Sequence, residues 1–457
     1  MIHIANSNKY LNFDTPLLEY LKRTFNYSVE NLLFSTKYTS GTFTITNPTP
    51  DFKNCKFVNG YPHFHIPLNV CMDEIDFFMN DCSLYNNKFI IRYGDSHPHN
   101  PIPKLGQTRN LIIADYLTNI IGTNAKQIYT IGDISIKSLK DFISINKLDI
   151  DPDYLYSSIL NNTINDSLKE KLETYDNIAI EEIKKFINNM FFLQPEFLLE
   201  SSLYNDQEFY MYLKKSPQFS EYIKTNGEIK YTLQELMFIK NALISDKDVL
   251  INVIGFDQSD HIIKVNNIIN EEKMNFNSRF LSYEICKNSL EKNVDVWSSK
   301  LEMFIEKNNL KIGNRYITYQ ELLKILFIIN SNDISIDFDN LNKCLNNIKR
   351  FCYIYSKNII DESELNNSSL NIEKNNLFFK MVLVNYTLNR TVELGEPNHF
   401  YKYILDIITE YQKNNMKYKD IENLYYRFIK KCFDRLGVIY NYTYEGGIDN
   451  HVLSKKN

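Results

Sequence analysis

Two groups of side chains in this sequence have types and spacing that could do chemistry. Toward the C-terminus, Lys413, Lys417, Lys419, Arg427, Lys430, Lys431 and Arg435 are interleaved with Tyr411, Tyr418, Tyr425, Tyr426 and Phe428. Cations hold phosphates and aromatic rings stack on unpaired bases, so the pattern suits a surface for a folded RNA. The competing possibility is a solvated helix face over an aromatic core, since tyrosine at helical spacing is also ordinary packing. Histidines form the second group: His63-x-His65 and His97-x-His99 each place two imidazoles on one side of a strand or loop. Neither pair has a cysteine or carboxylate pattern beside it, so no metal site is expected, and His65 and His99 read as surface or loop residues. The seven cysteines are scattered and include no C-x-x-C pair. A disulfide framework is therefore not expected and a reducing compartment is the default. Cys432 falls on an apolar helical stripe and reads as core.

These residues need a scaffold, and the composition supplies one. The chain has 457 residues, 44% hydrophobic and 23% charged, enough for about three or four domains of ~100–150 residues with real cores. A formal charge of −5 rules out a globally basic surface, so contact with nucleic acid must come from a local patch. The N-terminal segment has no basic, apolar leader and no Arg-rich transit character. No apolar run reaches the ~18 residues that a membrane helix needs. A soluble, cytoplasmic protein without membrane contact is the expectation.

Residues 1–85 mix a helical segment (17–25) with alternating segments (41–47 and 62–68) and suggest a small α+β domain. Residues 88–93 (KFIIRY) form a short apolar run of the buried parallel type. A Pro-rich loop follows, and a helix begins at Gly106, with apolar residues at 112/113, 116/117 and 120/121, closing at Gly122. With the strand expected at 127–131 this makes a βαβ unit, hence a parallel sheet. A second such signal is the strand 249–255 (VLINVIG) and the helix behind it. Residues 86–275 therefore read as a nucleotide-type α/β domain, with a helical insertion at about 135–225. From 276 onward only helices are expected: a connecting region to 360, a polar linker at 361–374, and an all-α domain filling 361–457.

Three segments, in order, resemble arginyl-tRNA synthetase, a class I synthetase with a Rossmann-like catalytic domain and a DALR-type anticodon-binding bundle. Lys104-Leu105-Gly106-Gln107 stands where the family has the HVGH form of the HIGH signature, and residues 108–115 (TRNLIIAD) follow in register. Residues 252–269 (NVIGFDQSDHIIKVNNII) are similar to the family's VVG-x-x-Q-x-x-H strand and helix. Residues 381–412 with 432–438 are similar to the C-terminal bundle. Residues 56–69 resemble the strand that closes the family's N-terminal domain. The resemblance thus spans nearly the whole chain.

The resemblance implies a set of site residues and shows which are altered. Amino-acid activation gathers negative charge on the phosphates of ATP (with Mg), which must be met by cations and donors. Gly106 is kept but both HIGH histidines are gone, leaving Lys104 as a cation and Gln107 as an uncharged donor. Each such donor is worth ~2.7–4 kcal/mol in the transition state. The KMSKS element is reduced to Lys307 and Lys311 ahead of Gly313-Asn314. In the amino-acid pocket, Tyr231 and Glu235 keep the spacing of Y-x-x-x-D, Gln258 matches the glutamine after the strand, and Glu235 suits a guanidinium or ammonium. His261 is the implied nucleotide-site residue. Arg92, however, lies near the position of the family's substrate-facing Glu, where it would repel arginine. Lys413, Lys417, Tyr425, Arg427, Lys430 and Lys431 are the implied tRNA contacts.

The functional expectation is a catalytically degenerate, arginyl-tRNA synthetase-like tRNA-binding protein, an adaptor or regulator for an arginine-family tRNA and a partner enzyme, needing no cofactor. The alternative is a divergent but active arginine–tRNA ligase using ATP, with Lys104, Lys307 and Lys311 carrying the phosphate charge. A third possibility, in which Arg92 serves an acidic substrate of a repurposed ATP-dependent enzyme, has no further support in the sequence.

Overall fold

The computed structural model describes residues 2–5, 14–25, 42–44, 56–58, 61–190, 195–225, 227–243, 248–255, 259–272, 274, 278–283, 295–330, 338–358, 376–413 and 422–437. The chain opens with strand β1 (Ile2–Ala5) and helix α1 (Pro16–Phe25). A three-stranded sheet follows, ordered β2-β4-β3, from β2 (Thr42–Thr44), β3 (Lys56–Val58) and β4 (Tyr61–His65). Helix α2 (Leu68–Met79) leads into the expected βαβ unit: β5 (Phe89–Ser96), α3 (Leu105–Ile121) and β6 (Ala125–Ile131). The insertion holds α4 (Ile136–Ile145), α5 (Pro152–Leu160), α6 (Asp166–Met190), strand β7 (Glu196–Leu199) and α7 (Gln207–Lys215). Helix α8 (Tyr231–Ala242), β8 (Val249–Gly255), α9 (Ser259–Glu271) and β9 (Ser278–Tyr283) complete the α/β region.

The large sheet runs β1-β9-β8-β5-β6-β7. All of its pairings are parallel except β1 against β9. The chain winds outward from β5 in one direction through β6 and β7, and from β8 in the other through β9. The β5/β8 boundary is therefore the topological switch point, where open α/β sheets form a crevice beyond the carboxyl ends of their strands. Alternation along β5 fixes the two faces. Phe89, Ile91 and Tyr93 join the core shared with α3 and the C-terminal helices, while Ile90 joins the core beneath α4, α5, α8 and α9.

Three features depart from the expectations. Residues 2–5, grouped by sequence with the N-terminal unit, pair with β9 in the large sheet. The insertion is not wholly helical, because β7 extends the sheet beside β6. The region after 276 is not helical throughout either. It contains β9 and a small hairpin of β10 (Lys311–Ile312) and β11 (Arg315–Tyr316) between α10 (Asp295–Lys307) and α11 (Tyr319–Ile329). Gly313, at φ +61°, turns that hairpin, a backbone state open to glycine. Such short strands hold by pairing with neighbours, and their own period is too brief to read. The expected linker at 361–374 and the tail beyond 437 lie outside the described residues.

The C-terminal half continues with α12 (Phe338–Asn358), α13 (Asn376–Val382), α14 (Val384–Leu394), α15 (Pro397–Lys413) and α16 (Glu422–Leu436). Gly395 closes α14 in the left-handed conformation and Pro397 opens α15, the usual stop and start residues. These helices pack on the α/β region through one continuous core. Polar contacts pin the junction. Arg435 on α16 donates to the carbonyls of Asn119 and Ile120 at 2.9 and 3.4 Å, capping the end of α3. Lys324 on α11 pairs with Asp115 on α3 at 3.5 Å and donates to the Gly437 carbonyl at 3.3 Å.

Glu74 on α2 is the most enclosed of these junction groups. Its carboxylate accepts from the Leu17 N–H at 2.8 Å and from Asn385 Nδ2 on α14 at 3.0 Å. Burial raises its pKa from 4.5 to about 7, against the lowering effect of those donors. The folded state therefore holds a proton there that the unfolded chain has lost, and stability falls as pH rises from about 4.5 to about 7. Glu74→Gln should flatten that part of the profile of thermal midpoint against pH. An unchanged difference between the two proteins across the window would contradict the assignment.

Candidate functional site

The crevice at the switch point is built by β5, β8 and the starts of α8 and α9. Arg92, the last residue of β5 to pair with β8, stands in register with Asn252. Its guanidinium forms an ion pair with Glu235 on α8 and lies 3.8 Å from the centroid of the Phe238 ring. The two side chains are 15% and 4% exposed. Glu235, the carboxylate expected to receive a substrate's guanidinium, therefore already holds one supplied by the chain itself. An incoming guanidinium would meet at Glu235 a carboxylate that is already paired. The cavity left around the pair, lined in part by Gln234 and Glu200, measures about 50 Å³. Small-molecule sites commonly span ~300–1,000 Å³, so this volume suits a few waters and no amino acid.

Tyr231 is the first residue of α8 and is 43% exposed, and its ring centroid lies 4.5 Å from that of His261 on α9. His261 Nδ1 is 3.3 Å from Thr232 Oγ1, and its Nε2 is buried without a hydrogen-bond partner. Burial lowers the His261 pKa, and the Arg92 charge adds to this while Glu235 opposes it. The ring is therefore neutral near neutral pH, a donor-acceptor and not a cation. Both side-chain atoms of Asn252, fully buried beside Arg92, also have no partner. Gln258 lies outside the described residues.

The remnant of the HIGH element forms the start of α3. Lys104 is its N-cap residue and is exposed. Gly106 lies within the first turn of the helix and not on the loop before it. Gln107, expected to donate to a phosphate, is engaged in capping, with its Oε1 accepting from the Lys104 N–H at 2.7 Å. Lys307 ends α10, and Lys311 begins the hairpin with its ammonium 4.4 Å from the Tyr316 ring centroid. Neither lines the three cavities of this face.

Two cavities of about 420 and 450 Å³ continue the crevice toward α3. His97 and His99 stand between the switch point and the helix start, their rings stacked 5.4 Å apart. The sequence shows the pair, but its pattern suggests only a loop or surface position for His99. What the pattern misses is that α4 brings Ser135 and Lys137 against the same space, a juxtaposition without a sequence signal.

The RNA-facing set divides in two. Lys413, Arg427 and Lys430 are exposed. Lys431 is ion-paired with Asp81, and Lys417 lies outside the described residues. Tyr425 is fully buried, with its ring stacked on Tyr411 at 3.9 Å. It is a core residue and is unable to stack on a base, which corrects its placement at an RNA surface. Periodicity alone does not separate the two cases, because the inward stripe of an amphipathic helix has the same spacing as an outward one.

No protein-family model matches the chain, and no curated protein matches it by sequence. Solved structures do match. Arginyl-tRNA synthetase from Thermus thermophilus superposes with a TM-score of 0.62 at 11% identity, over 92% of this chain and 97% of that one. Arginyl-tRNA synthetase from Plasmodium falciparum gives 0.60 at 14% identity, over 92% and 96%. At these identities the likeness is one of fold: a parallel-sheet α/β region joined to helical domains, as the resemblance implied.

The Arg92–Glu235 pair is testable through stability. Removing one partner of a buried ion pair strands the other, typically at ~3–5 kcal/mol. Arg92→Ala and Glu235→Ala should each destabilise by about that amount, and the double variant by clearly less than their sum. Additive losses in a denaturant-unfolding cycle would show that the groups are not coupled.

Proposed function

We propose that this chain is a tRNA-binding protein built on the arginyl-tRNA synthetase fold that no longer activates arginine, and that it acts as an adaptor presenting an arginine-family tRNA to a partner enzyme. The observation that carries this reading is the Arg92–Glu235 pair within a cavity of about 50 Å³. Activation requires the amino acid to be held with its carboxylate against the nucleotide's phosphate, and around Glu235 the space is small and the carboxylate is already paired with Arg92. The engagement of Gln107 in the α3 cap points the same way. RNA binding is supported by the fold likeness across the C-terminal helices and by exposed Arg427 and Lys430, which share a face of α16 at i, i+3.

Purified protein should show no arginine-dependent ATP–pyrophosphate exchange above background while retaining tRNA in filter binding. Exchange at an ordinary rate would overturn the loss of activation. Charge reversal at Arg427 and Lys430 together should weaken tRNA binding about tenfold or more, and the slope of log affinity against log salt should drop by about one for each phosphate that is no longer neutralised. Unchanged affinity would remove this face from the interface.

A further inference from the structure

We propose that Asp133 and Asp176 share a single proton inside the protein, and that this proton latches α6 to the end of β6 and is released in alkaline solution. The latch stands on residues that play no part in the functional reading and survives if that reading fails. Asp133 lies two residues beyond β6 and Asp176 midway along α6, and both are buried. Three segments converge on them. Tyr175, beside Asp176, donates to Asp141 Oδ2 at 2.6 Å, and its ring centroid lies 5.6 Å from that of Phe142, so this stretch of α6 packs on α4. Asp133 stands on the loop that leads from β6 into α4. After β7, the Ser201 N–H donates to Asp133 Oδ1 at 3.0 Å.

One oxygen on each acid is left unmet. Asp133 Oδ2 and Asp176 Oδ1 are buried without a hydrogen-bond partner, and neither residue forms an ion pair among the described residues. An ionised carboxylate only accepts, so two of them here would leave both atoms stranded and repelling. One carboxylic hydroxyl directed at the other group's oxygen satisfies both atoms at once. The donors mark Asp133 as the ionised member. Burial raises its pKa, while hydrogen bonds from Ser201, from its own backbone and from that of Glu200 lower it. Among the described residues no hydrogen bond reaches the Asp176 carboxyl. Burial, then the charges of Asp133 and of Glu173 one turn away, push it from 3.8 up to about 8. Asp141 on α4, held by Tyr175, and Glu200, which lines two cavities of the crevice, are the other acids on the neighbouring elements. No lysine or arginine is among the charges acting on either member. A divalent cation takes about six oxygen ligands or more, and among the described residues no group of three His, Cys, Asp or Glu could hold one. The folded chain keeps the proton where the unfolded chain has lost it, so its contribution to stability falls as pH rises from 3.8 to about 8. Above that range two carboxylates face each other, and α6 loosens from the wall that carries Glu200.

Asp176→Asn keeps the donor in place at every pH, because its amide N–H can face Asp133 Oδ2. The thermal midpoint of the variant should gain steadily on that of the unaltered protein between about pH 5 and about pH 9. Glu74 is common to both proteins and cancels in that difference. A difference that stays constant across the range would overturn the proposal. Amide exchange along α6, followed by mass spectrometry, should run about tenfold faster near pH 9 than the intrinsic effect of pH explains, in the unaltered protein and not in the variant. Equal protection of α6 in the two proteins would contradict the latch. A third readout needs no variant. In the full chain labelled at its aspartate carboxyl carbons, NMR should show one carboxyl that titrates near pH 8. If every aspartate signal titrates below about pH 6.5, the shared proton is absent. Stabilisation by added magnesium or calcium near pH 9, seen in the unaltered protein and lost in Asp176→Asn, would put a cation between the acids and also defeat the proposal.

Discussion

A guanidinium and a carboxylate withdrawn from water must be satisfied by each other, and at the switch point of this sheet both belong to the chain. Desolvating either group alone is prohibitive, whereas the pair with an aromatic face beneath it is stable. Arg92 reaches Glu235 because β5 ends beside β8 and α8 packs over that end, with Phe238 under the guanidinium. The part of the crevice at the β5/β8 boundary is thereby narrowed to a cavity of about 50 Å³. Neutral His261 lines what remains, and the unpartnered Asn252 amide is buried at the register position of Arg92.

Helix α3 connects this face to the rest of the molecule. Its first turn borders the cavity of stacked histidines, its middle carries Asp115 in a buried pair with Lys324, and its last carbonyls are capped by Arg435 of α16. Because α16 also presents Arg427 and Lys430, a single rigid element separates the exposed cations from the crevice. Polar contacts add to the apolar core that these helices share. Glu74 on α2 with Asn385, and Tyr85 in the segment before β5 with Asn389, add buried hydrogen bonds to α14, which help fix how the helical half sits on the sheet.

The parts of this structure legible in the sequence are those with a local signal. The runs at β5, β6 and β8 and the apolar spacing of α3 up to Gly122 are long enough for their period to declare them. The short strands β1, β7, β9 and the β10–β11 hairpin are defined by their pairing partners, and nothing in a run of two to six residues announces such a partner. The same limit governs the site. Arg92 and Glu235 each stand out in the sequence, one as repellent and one as receptive to arginine. Their union across 143 residues of sequence is a tertiary fact. Tyr425 shows the converse error, a ring whose spacing is visible but whose face is not.

The central claim is that the chain's own guanidinium holds the place of a substrate's. Arginine titrated calorimetrically against the unaltered protein and against Arg92→Ala tests it most directly. The expected result is no detectable binding to the first and measurable binding to the second, in which Glu235 and the vacated volume are exposed to the ligand. Binding of arginine to the unaltered protein, undiminished by the presence of Arg92, would contradict it.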